Sequence, residues 1–172
     1  LGPLAIGFSH QTLLPQLVEE QYGRGIGLMG LLQSVGAIGG LGGGLFIASR
    51  REVSYKGRLM LLAALSYGIA LLGFAGANHM WMAFPLIIWI GASQTLFRAG
   101  NTATLMEIAP DRLRGRIISA TLLDTALSPI AGLAAGLTAD LWGVSYGYIL
   151  LSVACLSVVA LTMLIYPKIK DV

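Results

Sequence analysis

Basic residues in this chain occur almost entirely in connections, and only in every second connection. Arg50, Arg51, Lys56 and Arg58 lie in one loop, Arg112, Arg114 and Arg116 in another, and Lys168 and Lys170 in the tail, nine of the eleven Lys and Arg. The connections around Glu19 to Gly25, Ala77 to His79 and Trp142 to Ser145 hold a single basic residue, Arg24. This alternation is what a chain shows when it crosses a bilayer between successive loops and keeps the basic ones cytoplasmic. Arg98 breaks the pattern, inside an apolar run.

The runs between connections have the length such a crossing needs. A hydrocarbon core about 30 Å thick takes roughly 20 helical residues. Ile26 to Ser49, Leu59 to Ala77 and Val144 to Tyr166 carry no charge, whereas Met80 to Ala109 contains Arg98 and Ile117 to Leu141 contains Asp124. Leu1 to Val18 is shorter, includes Pro3 and Pro15 and begins on Leu1, so it is expected to be a span whose beginning is missing. The expectation is an all-α polytopic membrane protein of six spans over residues 1–172, with the C-terminus cytoplasmic and interfacial aromatics at Tyr22, Trp81, Trp142, Tyr146 and Tyr148. Composition agrees: 56% hydrophobic and 11% charged residues, where soluble domains have about 25% charged. The net charge of +3 therefore points to the lipid surface rather than to nucleic acid.

Small residues mark the helices expected to pack closely. Gly36, Gly40 and Gly44, with Gly39 and Gly43, form rows in the second segment, and Ser128, Gly132 and Gly136 form one in the fifth. The third and sixth segments lack such rows and read as lipid-facing, Leu71 included. Polar residues in segments one and four, small rows in two and five, and apolar side chains in three and six make a three-plus-three repeat. An odd number of spans per copy inverts the second copy across the membrane.

Several catalytic and cofactor signatures fail. Gly25, Gly27 and Gly30 match the dinucleotide glycine pattern, but the preceding "VEEQYGR" is no apolar strand, and the match opens an uncharged span. His10 and His79 have no partner at metal-ligand spacing, and no nucleophile-and-base pattern appears. No enzyme activity, cofactor or metal is expected, and Cys155, the single cysteine, offers no disulfide.

The stretch "APDRLRGRIISATLLDTALSPIAGLAAGLTADLWG" carries Pro110, Arg114, Gly115 and Arg116, then Pro129, Gly132, Gly136, Asp140 and Gly143. These positions resemble the loop and helix motifs of a macrolide-efflux-like and siderophore-exporter-like branch of the major facilitator superfamily, and the chain as a whole resembles the C-terminal half of such a transporter, spans seven to twelve. The other basic loop, "GLFIASRREVSYKGR", keeps Gly44, Gly57 and Arg58 of the superfamily pattern but lacks its Asp. The resemblance implies alternating access around a midplane site, an N-terminal six-helix half outside this chain, segments one and four lining the cavity, and gating loops at Arg58, Arg114, Gly115 and Arg116.

The expected function is ion-coupled or proton-coupled efflux of a small organic molecule across a bacterial inner membrane; a non-transporting scaffold or receptor is the alternative, since fold does not fix function. Candidate pathway residues are those polar at membrane depth: His10 and Gln11 in the first segment, Gln94, Arg98 and Asn101 on one face of the fourth, and Asp124. Arg98 and Asp124 each lie thirteen residues from Asp111 at the turn, so antiparallel helices would bring them to similar depth as a charge pair.

Overall fold

The computed structural model describes residues 9–23, 26–49, 56–77, 79–108, 112 and 114–165. Within these, nothing is described of the side chains of residues 26, 56, 107, 108, 114, 116–118 and 120–127. Six helices follow one another: α1 (His10–Tyr22), α2 (Ile26–Ser49), α3 (Lys56–Ala75), α4 (Met80–Ile108), α5 (Arg114–Trp142) and α6 (Val144–Ile165). The described residues contain no strand. Four helices, α2, α3, α4 and α6, are long and apolar enough to cross a membrane. The sequence reading counts six. Here α1 covers 13 residues, its expected first part lying outside the described residues, and much of the first half of α5 lacks described side chains.

Glycine ends two helices where the backbone must turn left-handed. Gly23 closes α1 with φ 56°, its N–H donating to the carbonyls of Glu19 and Val18. Gly143, with φ 100°, separates α5 from α6 and donates to Ala139 O at 2.7 Å. A side chain at either position would be strained.

The glycine row of α2 is a close-packing row, as expected, and its partner is α4. A Cβ at Gly39 would collide with the carbonyl oxygen of Ile88, one at Gly43 would stand 2.6 Å from Ala92 O, and one at Gly91 would strike Gly36 O. Backbones approach this closely only where both helices present small residues. The row of α5 is used in part: Gly132 faces Thr12 of α1 and Ser9 Oγ donates to Ser128 O at 2.6 Å, while Gly136 faces open space.

The lipid-facing reading of the third and sixth segments fits only one side of each helix, where Leu62 and Ile69 of α3 and Leu161 and Leu164 of α6 are exposed. α3 and α6 pack on each other, α3 also on α4, and α6 on α1 and α5. Half of the most apolar stretch of α3 is buried, against 17% for α2. Leu71 is 0% exposed, and Phe74 meets Tyr148 edge to face at 5.3 Å. Glycine rows permit close approach but bury little area, whereas Tyr67, Leu71 and Phe74 fill the space between helices. Tyr148 likewise belongs to the core rather than to an interfacial belt, although Trp81, Trp142 and Tyr146 are exposed.

The three connections poor in basic residues come together at one end. Tyr22 Oη donates to Ala77 O at 2.6 Å, Gln21 Nε2 to Ser145 Oγ at 2.8 Å, and the Val144 N–H to Glu20 Oε2 at 3.2 Å. The Glu20 carboxylate thus sits at the N-terminus of α6, where the helix dipole favours an anion. Gln16 Nε2 reaches both Glu20 Oε1 at 3.0 Å and Asp140 Oδ1 at 3.1 Å. Asp140 and Gly143, two residues of the fifth-helix motif, therefore shape this end.

Candidate functional site

His10 opens α1 and is 3% exposed although it is polar. Burial of an imidazole requires hydrogen-bonding partners; one helix contributes a partner to the ring and another holds the backbone carbonyl. Tyr67 Oη of α3 lies 3.0 Å from His10 Nδ1, the rings edge to face at 6.0 Å. Tyr148 Oη of α6 donates to the His10 carbonyl at 3.0 Å. Two residues on, Thr12 Oγ1 donates to Ser9 O at 2.6 Å. The start of α1 is thus fixed by α3, α5 and α6 before it meets the cavity.

That cavity, about 310 Å³, lies among α1, α2 and α4. Its polar lining comes from His10 and Gln11 on α1, Gln33 on α2, and Gln94 and Thr95 on α4. Leu14, Ile87 and Ile90 are apolar walls, and Gly36, Gly40 and Gly91 line it where α2 and α4 approach most closely. The described lining carries no Lys, Arg, Asp or Glu. Such an arrangement offers oriented neutral donors and acceptors on an apolar frame, the usual make-up of a small-molecule pocket.

Three of the sequence candidates, His10, Gln11 and Gln94, converge on this cavity. Arg98 does not line it: it is exposed and lines an open groove with Thr95, Ala99, Thr102 and Ala103, so the two depressions share Thr95. Asn101, although on the same side of α4 by spacing, is 9% exposed and lines neither. Asp124 lies on α5, its side chain outside the described residues, as are those of Arg114 and Arg116. Arg58 and Gly115 are exposed near the starts of α3 and α5. His79 is an exposed connection residue, as expected. Among the described residues no three His, Cys, Asp or Glu form a group able to hold a metal ion.

Sequence reasoning passed over Gln33, Thr95, Tyr67 and Tyr148. Gln33 and Tyr67 had the signal used for His10, a polar atom in an apolar run. Tyr148 had it too but read as an interfacial aromatic, and Thr95 had none, because a threonine hydroxyl on a helix is satisfied equally well by its own preceding turn.

Helices of membrane-crossing length and apolarity, together with a polar cavity, define an integral membrane protein. Its sequence is similar to that of the Staphyloferrin A transporter of Staphylococcus aureus (strain NCTC 8325 / PS 47), with 28% identity over 163 residues. The match covers 95% of this chain and 40% of that protein, so the chain spans about two fifths of the length of the curated relative. No family model and no solved structure matches the chain.

Proposed function

We propose that the chain is the C-terminal six-helix half of a major facilitator transporter that exports a small organic molecule. The observation that carries this reading is the neutral, hydrogen-bonding cavity between α1, α2 and α4, inside a set of helices similar in sequence to a transporter. The helix contacts support an inverted three-plus-three repeat. Exchanging α1–α3 with α4–α6 carries the packing of α2 and α3 on α4 onto that of α5 and α6 on α1, and α3 on α6 onto itself, whereas α5 on α6 and α1 on α2 have no comparable counterpart among the described residues. In this proposal the second half is an N-terminal set of six helices, the cavity opens toward it, and the two halves rock about the site in alternating access. The membrane is the bacterial inner membrane, the C-terminus is cytoplasmic, and a proton or another ion drives the cycle.

Gln11, exposed on α1, and Arg98, exposed on α4, then lie on the pathway, with Arg98 and Asp124 as a charge pair and the loops of Arg58 and Arg114 to Arg116 as cytoplasmic gates. The test is export of Staphyloferrin A by the full-length protein in cells lacking their own exporter. External accumulation well above that of empty-vector cells, collapsing with the proton gradient, is expected. No accumulation of this or any other small organic solute would leave a scaffold or receptor as the reading.

A further inference from the structure

One polar atom at the cavity is left unsatisfied by the protein. Gln94 lines the space between α1, α2 and α4, and its Nε2 is buried with no hydrogen-bond partner among the described residues. A shielded amide N–H without an acceptor destabilises the fold relative to a satisfied one. Gln94 is itself only half-buried and lines the cavity, so a half-turn of its carboxamide brings this shielded N–H to an acceptor carried by whatever enters. Two more carboxamides, Gln11 of α1 and Gln33 of α2, face the same space, so three helices each contribute one. A carboxamide both donates and accepts without charge.

The rest of the lining argues against an ionic guest. No formal charge occurs among the described lining residues, and Arg98, one turn along α4, faces the neighbouring groove. An ion placed in the cavity would lose water without meeting an opposite charge there. His10 Nδ1 is already engaged by Tyr67 Oη. The volume of about 310 Å³ is at the small end of ligand pockets, roughly 300 to 1,000 Å³, and fits a small molecule or one arm of a larger one.

We propose that this cavity is a recognition subsite for an uncharged, oxygen-bearing group of the transported molecule, an amide or a hydroxylated arm, and that Gln94 Nε2 is the donor that fixes it. The proposal rests on the transport reading above, but a binding measurement tests it separately. Saturation-transfer NMR on the full-length protein in nanodiscs uses N-methylacetamide as the neutral probe, with acetate and tetramethylammonium as charged comparators. The wild type should transfer saturation to N-methylacetamide several-fold more than to either ion. Gln94→Met, equal in length and without the donor, should abolish that preference, and Gln94→Asn should keep part of it. Should Gln94→Met not fold, judged by its melting temperature, Gln94→Glu replaces it, with the same loss expected. A stronger response to acetate or tetramethylammonium, or an unchanged N-methylacetamide response in both Gln94→Met and Gln94→Glu, would overturn the proposal. In the export assay the same variants should raise KM for Staphyloferrin A about tenfold or more with little change in maximal rate, as for loss of a binding contact. Failure of the wild type to export would refute the transport reading and leave the probe result to decide the subsite.

Discussion

His10 shows how one residue is held at a cavity wall. Its ring and its carbonyl are held by tyrosines of two different helices, one hydroxyl at the buried imidazole and the other at the backbone. Tyr67→Phe and Tyr148→Phe should each lower stability in detergent by about 1 kcal/mol, a typical net hydrogen bond, read as a lower melting temperature. Equal melting of all three proteins would mean that His10 is held by other contacts. Tyr22 differs because it ends α1, and burial pushes its phenol up from the usual 10.0. With a raised folded-state pKa, its contact with Ala77 O is fully present at neutral pH and is lost as pH rises through the raised value. A Tyr22→Phe variant should therefore lose an alkaline step in stability that the wild type shows above about pH 10. Arg98 and Asp124 belong to this scale too: Arg98→Ala and Asp124→Ala should each reduce export by the full-length protein, and exchanging the two charges should restore expression at least in part. Normal export by both single variants would remove them from the pathway. The polar residues of the cavity were legible in sequence where they interrupted apolar runs, and Asn101 shows the limit. Helical spacing gives direction around an axis, but not which neighbour covers that direction.

At the scale of elements, the glycine row of α2 was readable because close approach has a compositional requirement that can be met only by small residues. Gly39→Ala should destabilise by about 1 to 3 kcal/mol, the usual effect of overpacking, because its Cβ meets the Ile88 backbone, which cannot turn aside as a side chain can. Ile69→Leu, at a position 63% exposed on α3, should melt like the wild type. If the two variants melt together, α2 does not lie against α4 through this row. The same sequence logic resolved only one side of α3 and α6, whose leucines all read as lipid-facing although Leu71 and Leu151 are buried. Lipid and protein interior are both apolar, so hydropathy does not distinguish an outward Leu from Leu71.

For the whole molecule, the loop charges and the hydrogen bonds describe the same arrangement by independent means. The connections poor in Lys and Arg are the ones that Tyr22, Gln21 and Glu20 tie together. In the full-length protein, with Cys155→Ala removing the buried thiol of this chain and any cysteine outside it also replaced, cysteines replacing exposed His79 and Tyr146 should react with a membrane-impermeant maleimide from outside intact cells. Cysteines at Ser54 and Arg112 should react only after permeabilisation. Labelling of position 54 or 112 from outside would reverse the orientation.

The sequence by itself determined that helices form, where most of them start and stop, and which connections share an end, because apolar length, glycine ends and loop charge act locally along the chain. The apolar runs starting at Ile26, Met80 and Val144 open α2, α4 and α6 at those residues. The tertiary structure decided which side of each helix is inside. That choice placed Leu71 and Tyr148 in the core, brought Gln33 and Gln94 to one cavity with His10, and directed Arg98 into a separate groove. It depends on side chains far apart in sequence filling one another's spaces, and hydropathy along a single helix does not record such a contact.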